Sequence, residues 1–137
     1  MSVRGTKETE FILSKMAPRE ALNLTRATVG AMAGELVADA KGEMSFGRQS
    51  RGNMRRSVKR VRRQVRNGIV QEDVTVGRRA FYWRFWEYGQ RVARRAMFHK
   101  AVTKLENDLA KTWERLFLKK LQDRLARERR RRLRGVR

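Results

Sequence analysis

Nineteen residues, Arg48 to Arg66, carry nine Lys or Arg and no Asp or Glu. The fourteen from Arg124 to Arg137 carry eight Arg against the single acid Glu128. These two stretches hold 17 of the chain's 35 basic residues and set most of its formal charge of +21. Self-repulsion makes such a surplus a cost to any compact state. A polyanionic partner is the simplest compensation, and nucleic acid is the commonest one. The chemistry expected here is neutralisation of phosphate charge. No zinc-finger spacing, aromatic RNA-binding signature or helix-turn-helix stands out. Contacts to the backbone rather than to base edges are therefore expected, with a steep dependence on salt.

Other reactive residue types are scarce. His99 is the single histidine and cysteine is absent, which removes disulfides, thiolate metal sites and thiol nucleophiles together. His99 has no partner at triad or metal-ligand spacing and reads as structural or exposed. Glu106, Asp108 and Glu114 sit among Lys104, Lys111 and Arg115 in the pattern of surface i,i+4 pairing. Gly42, Gly47 and Gly52 match no phosphate-binding loop, because no Gly-Lys-Ser/Thr follows them. Neither an enzyme nor a cofactor or metal is expected.

The elements that must position the cations follow from periodicity. At 137 residues and 40% hydrophobic content, the chain supports one domain with a modest core. No apolar run approaches the ~20 residues that cross a bilayer. The start, MSVRGTKETEF, does not read as a secretory signal, and no membrane is expected. Residues 1–10 read as a flexible N-terminus and 11–125 as one domain, followed by an Arg-rich tail over 126–137 that could serve as a disordered arm. Phe11, Ile12, Leu13 and Met16 form an apolar cluster before Pro18. From there a helix runs to about Lys41, with Val29, Ala33, Leu36 and Ala40 on one stripe. Gly30 and Gly34 within it would let another backbone approach. Residues 42–53 read as a mobile loop.

The stretch 54–66 is open to two readings. Met54, Val58, Val61 and Val65 fit a basic amphipathic helix, yet the Val residues also suit a strand. Asn67-Gly68 is a strong hairpin turn, so a hairpin of 57–66 with 69–76 is preferred. Six of the eleven aromatic residues then fall within Phe81 to Tyr88. Phe81, Trp83, Phe85, Trp86 and Tyr88, with Phe98 and Trp113, are expected in the core or at a subunit interface. One long helix is predicted from about Ala96 to near Arg130, its stripe formed by Phe98, Val102, Leu105, Leu109, Trp113 and Leu116.

Three short segments carry a family resemblance: Gly52-Asn53-Met54-Arg55-Arg56-Ser57-Val58, then Tyr82-Trp83-Arg84-Phe85-Trp86-Glu87-Tyr88-Gly89, then Ala96-Met97-Phe98-His99-Lys100-Ala101. Their order resembles the head–tail joining family of long-tailed double-stranded DNA phages, the small neck or tail-completion proteins. That family shows G-x-L-R-x-S-I, Y-x-x-F-x-E-[FY]-G-T and P-F-L-x-P-A before a closing helix. Here Gln90 replaces the Thr, and Ala96 and Lys100 stand where the prolines fall. The resemblance spans residues 11–125. It implies an α+β subunit with a small antiparallel, hairpin-based sheet packed against long N- and C-terminal helices. It also implies a virion protein made in the host bacterial cytoplasm. Six or twelve copies would form a ring between head-connector proteins and the tail tube or its terminator, with double-stranded DNA passing through. On that reading Arg48, Arg51, Arg55, Arg56, Lys59 and Arg60 face the channel. A free, sequence-independent nucleic-acid-binding protein is the competing expectation.

Overall fold

The structure, a computed structural model, describes residues 7–44, 55–80, 83–89 and 96–135. Helix α1 spans Lys7–Lys15 and α2 spans Pro18–Glu43. Strands β1, Val58–Arg62, and β2, Glu72–Val76, form a two-stranded antiparallel sheet. A 3-10 turn over Arg78–Ala80 leads to the short helix α3, Trp83–Tyr88. Helices α4, Met97–Asn107, and α5, Leu109–Gly135, follow. The arrangement is α+β, a hairpin against long helices, as the resemblance implies.

Helix α2 is the spine on which the rest packs. Pro18 opens it, and the Ala17 carbonyl accepts the first helical hydrogen bonds from Glu20 and Ala21, both at 2.9 Å. Two apolar clusters form along it. One joins Ala40 of α2 and its C-cap Met44 to Val58, Ala80, Met97 and Ala101, with Leu36, Val37, Val74, Val76, Trp83 and Phe98 packed against it. The other joins Leu24 and Met32 to Trp113, Leu116 and Phe117 of α5, with Ile12, Leu13 and Met16 against it. Burying side chains of this size stabilises by about 1.5–3 kcal/mol each. Thr28 sits in this interior because its hydroxyl donates to the Leu24 carbonyl at 2.9 Å.

The hairpin forms as its turn requires. Asn67 and Gly68 both take positive φ, 51° and 73°, the geometry that matches the twist of paired strands. Val58 pairs with Val76, Arg60 with Val74 and Arg62 with Glu72, and an isolated bridge joins Arg66 to Ile69 at the turn. Of the two readings of residues 54–66, the strand holds for 58–62, preceded by helical residues 55–57. The Gly-rich segment 45–53 lies outside the described residues.

Three expectations are corrected. Residues 7–10 are helical, and Thr9 is 1% exposed and accepts a hydrogen bond from the Trp113 indole N–H at 3.3 Å. The long closing helix is two helices, broken at Asp108 (φ −113°, ψ 20°), whose carbonyl accepts the Thr112 N–H at 2.8 Å. Asn and Asp compete for backbone groups and so favour helix ends. The break lets the start of α4, Met97, Phe98 and Ala101, face the first cluster while Leu105 and α5 face the second, which a stripe counted straight through cannot reveal. Finally, the Arg run is no separate arm up to residue 135, because α5 continues through it to Gly135. Arginine is a good helix former, and cations suit a helix C-terminus.

Candidate nucleic-acid interface

Strand geometry divides the cations of the hairpin between two faces. Side chains alternate along a strand, so Val58, Arg60 and Arg62 point one way and Lys59, Val61 and Arg63 the other. Val58, 2% exposed, fixes the first face against α2. Arg60 therefore reaches under the sheet, where its guanidinium Nη1 donates to the Gly30 carbonyl. Glu72 joins it there, its side chain 3% exposed, with Oε2 3.9 Å from Arg60 Nη1 and Oε1 accepting from Arg62 Nε at 3.4 Å. Gly30 is the gap that admits both groups. A Cβ there would stand 2.9 Å from Glu72 Oε1 and 3.1 Å from Arg60 Nη1. The close approach expected of this glycine is real, but the visitor is an ion pair. Gly34 has nothing within 4 Å of its Cβ position.

On the opposite face Arg63 Nε bonds Asp73 Oδ2 at 2.6 Å, and Gln71 donates to Oδ1 at 2.9 Å. The Gln71 amide, first, and then the Arg63 guanidinium hold the Asp73 carboxyl below its ordinary range. Lys59 shares this outer side, while Arg55 and Arg56 are exposed on the helical residues before the strand. None of these three makes an ion pair with a described residue. Arg55, Arg56 and Lys59 are thus available cations at the base of the hairpin, and Arg60 is committed to α2. Arg48 and Arg51 lie outside the described residues.

Other cations hold the helices together. Glu35, Asp39 and Glu43 form an acidic row on α2 facing Arg115, Lys104 and Lys100 at 2.7, 2.8 and 3.6 Å. The Asp39 contact raises the Lys104 pKa above its usual value. These bridges cross between helices. The i,i+4 pairing read from α4 and α5 does not join Glu106, Asp108 or Glu114 to a base among the described residues; Arg124–Glu128 is such a pair.

Sequence reading met Glu87 only as the acid of the resembled Y-x-x-F-x-E-[FY]-G pattern and gave it no role. It is 6% exposed, and its two carboxylate oxygens accept the Phe98 and His99 N–H groups, each at 2.9 Å. It caps the first turn of α4 from outside, where Ala96 offers no side-chain cap. Ala96 takes φ 48°, a value proline cannot reach, so the turn here differs from one built on the proline of the resembled pattern. His99 contributes its backbone to this cap, and its side chain is exposed.

This run from α1 to the Tyr88-Gly89 turn is a recognisable unit. Residues 7–89 match the family model described as "Bacteriophage HK97-gp10, putative tail-component". The chain belongs to the HK97-gp10-like family. No curated protein and no solved structure matches it. Membership makes the chain a structural component of a phage tail, located in the virion and in contact with other phage proteins. The matched span holds the hairpin, the Gly30 seat and Glu87, and stops short of α4 and α5.

The aromatic residues of this HK97-gp10-like chain separate by environment. Trp83 and Phe98 meet edge to face, 5.2 Å apart, against the first cluster. Trp113 is 7% exposed and stacks on Phe117 at 6.1 Å in the second. Phe85 is half-buried, and Tyr88 is 63% exposed. Phe81 and the side chain of Trp86 lie outside the described residues. No helix among the described residues is long and apolar enough to cross a membrane.

Proposed function

We propose that this tail component closes into a ring of six or twelve copies in the head-to-tail connector. It meets head-connector proteins on one side and the tube or its terminator on the other, and the DNA passes through. The observation that carries this reading is the set of exposed cations at the hairpin base, Arg55, Arg56 and Lys59, which make no ion pair with a described residue, on an element seated against α2. Arg48 and Arg51 precede them in the chain and are assigned to the same wall. Arg60 anchors this wall more than it lines it. A channel that passes a whole genome needs positive charge without base readout, and arginine and lysine aimed at phosphates supply that. Tyr88, exposed beside Trp83, is assigned to the face that meets the next subunit, since a ring needs a heterologous contact. Synthesis is assigned to the host bacterial cytoplasm.

The test uses assembled phage particles. Replacing Arg55, Arg56 and Lys59 together with Gln should leave particles assembled, with the chain present at the junction, and impair DNA retention or passage. Loss of assembly would remove these residues from the channel wall. A chain that coats DNA and never enters particles would favour a free nucleic-acid-binding protein.

A further inference from the structure

Contacts along α2 give a direction to both basic segments. The hairpin base, Val58 and Val76, packs among Leu36, Val37, Ala40 and Met44, whereas Arg60 and Glu72 stand at Gly30. From base to tip the hairpin therefore advances toward the start of α2. Helix α5 does the same. Arg115 bonds Glu35 at 2.7 Å, and nine residues later Arg124 bonds Glu20 at 2.7 Å. Helix α2 begins at Pro18, and the end of α5, Leu125–Gly135, runs beside that start and then beyond it as an overhang, with Arg127, Glu128 and Arg131 still lining a groove with Asn23, Leu24 and Ala27. This overhang is exposed apart from Glu128, with Leu125 56% and Leu133 68% accessible. It carries Arg127, Arg129, Arg130, Arg131, Arg132 and Arg134, and its only acid, Glu128, is bonded to Arg124.

We infer that the α5 overhang and the hairpin tip are two arms of one grip on the phosphate backbone of a DNA duplex. It lies at the opposite end of α2 from Arg55, Arg56 and Lys59. Arginines spaced three and four apart on a helix repel one another by about 0.2–0.5 kcal/mol per pair, so the bare overhang carries a cost that an external anion removes. A second copy of the chain is a poor source of that anion. Seven of its 14 acids are in ion pairs inside the subunit and Glu87 is buried. At the tip a groove of about 560 Å³ is lined by Arg62, Arg63, Arg66, Asn67 and Gln71 among others. Glu72 and Asp73 hold Arg62 and Arg63 in place, yet 66% and 55% of those side chains stay exposed, leaving guanidinium donors for phosphate.

This grip rests on the reading that DNA is the counter-charge, though not on ring closure or on the channel-wall residues. The full chain is titrated into a fluorescein-labelled DNA duplex of arbitrary sequence at several salt concentrations. Arg130, Arg131 and Arg134 are changed together to Gln, in one variant. Arg63 and Arg66 are changed in a second, and Arg55, Arg56 and Lys59 in a third. Far-UV circular dichroism checks that each variant is folded. Each lost phosphate contact should lower the slope of log K against log salt by about 0.9, in both the first and the second variant. Parent-like slopes in those two, with a reduced slope in the third alone, would overturn the grip and leave the channel reading standing. A parent chain with no salt-dependent binding would remove the DNA reading itself. An overhang variant that keeps the DNA slope but loses affinity for polyglutamate would make the overhang a protein-docking arm and overturn the proposal.

Discussion

At Gly30 a missing side chain is a structural part. The space where its Cβ would sit holds the Glu72 carboxylate and the Arg60 guanidinium, and its carbonyl accepts from Arg60. Four residues on, Gly34 faces open space. The two glycines should therefore respond oppositely to alanine. Gly34→Ala should stabilise by about 0.5–1 kcal/mol, the usual helix-interior gain. At Gly30 the same gain is opposed by displacement of a buried carboxylate, and a net loss of about 1 kcal/mol or more is expected. Urea midpoints at unchanged m-value measure both. Equal upward shifts would show that the hairpin does not sit on Gly30. The sequence marked both glycines as places for close approach. It could not tell them apart, because the difference lies in what arrives from residues 60 and 72.

Elements here are joined by acids that reach from one element to another. Glu87, at the end of α3, caps the first turn of α4, where Ala96 cannot. Glu87→Ala should cost about 1–2 kcal/mol by leaving the Phe98 and His99 N–H groups unpaired. Glu87→Gln retains an acceptor and should recover part of that. Thermal unfolding gives the loss, and amide exchange at Phe98 and His99 locates it; parent-like protection at those amides in the alanine variant would refute the cap. The Glu35–Asp39–Glu43 row joins α2 to α4 and α5 in the same manner. The sequence displayed these acids at helical spacing, but spacing along one helix is silent about bases on another. The hairpin was more legible, since Asn67-Gly68 acts through local backbone geometry.

At the scale of the whole molecule, the aromatic residues serve two ends. Trp83, Phe98 and Trp113 pack within the subunit, while Tyr88 points outward. Tyr88→Ala should change subunit stability by no more than about 0.5 kcal/mol, as exposed positions do, and should weaken assembly. Native mass spectrometry, with denaturant midpoints alongside, separates the two effects. A variant that unfolds early or assembles like the parent would take Tyr88 off the subunit contact.

The sequence by itself determined the charge, the phosphate chemistry, the hairpin turn, the start of α2 and the family resemblance. All are local in the chain, set by composition, backbone preference or short ordered motifs. Only the tertiary structure decided which cations are available. A strand of period two placed Lys59 and Arg60 on opposite faces, and packing on α2 then engaged Arg60 with Gly30 and Glu72. It also set α4 and α5 against α2 on either side of Asp108 and sent the end of α5 past the start of α2, on the side toward which the hairpin tip advances. Those outcomes depend on contacts between residues 12 to 104 positions apart, and no count along the chain contains them.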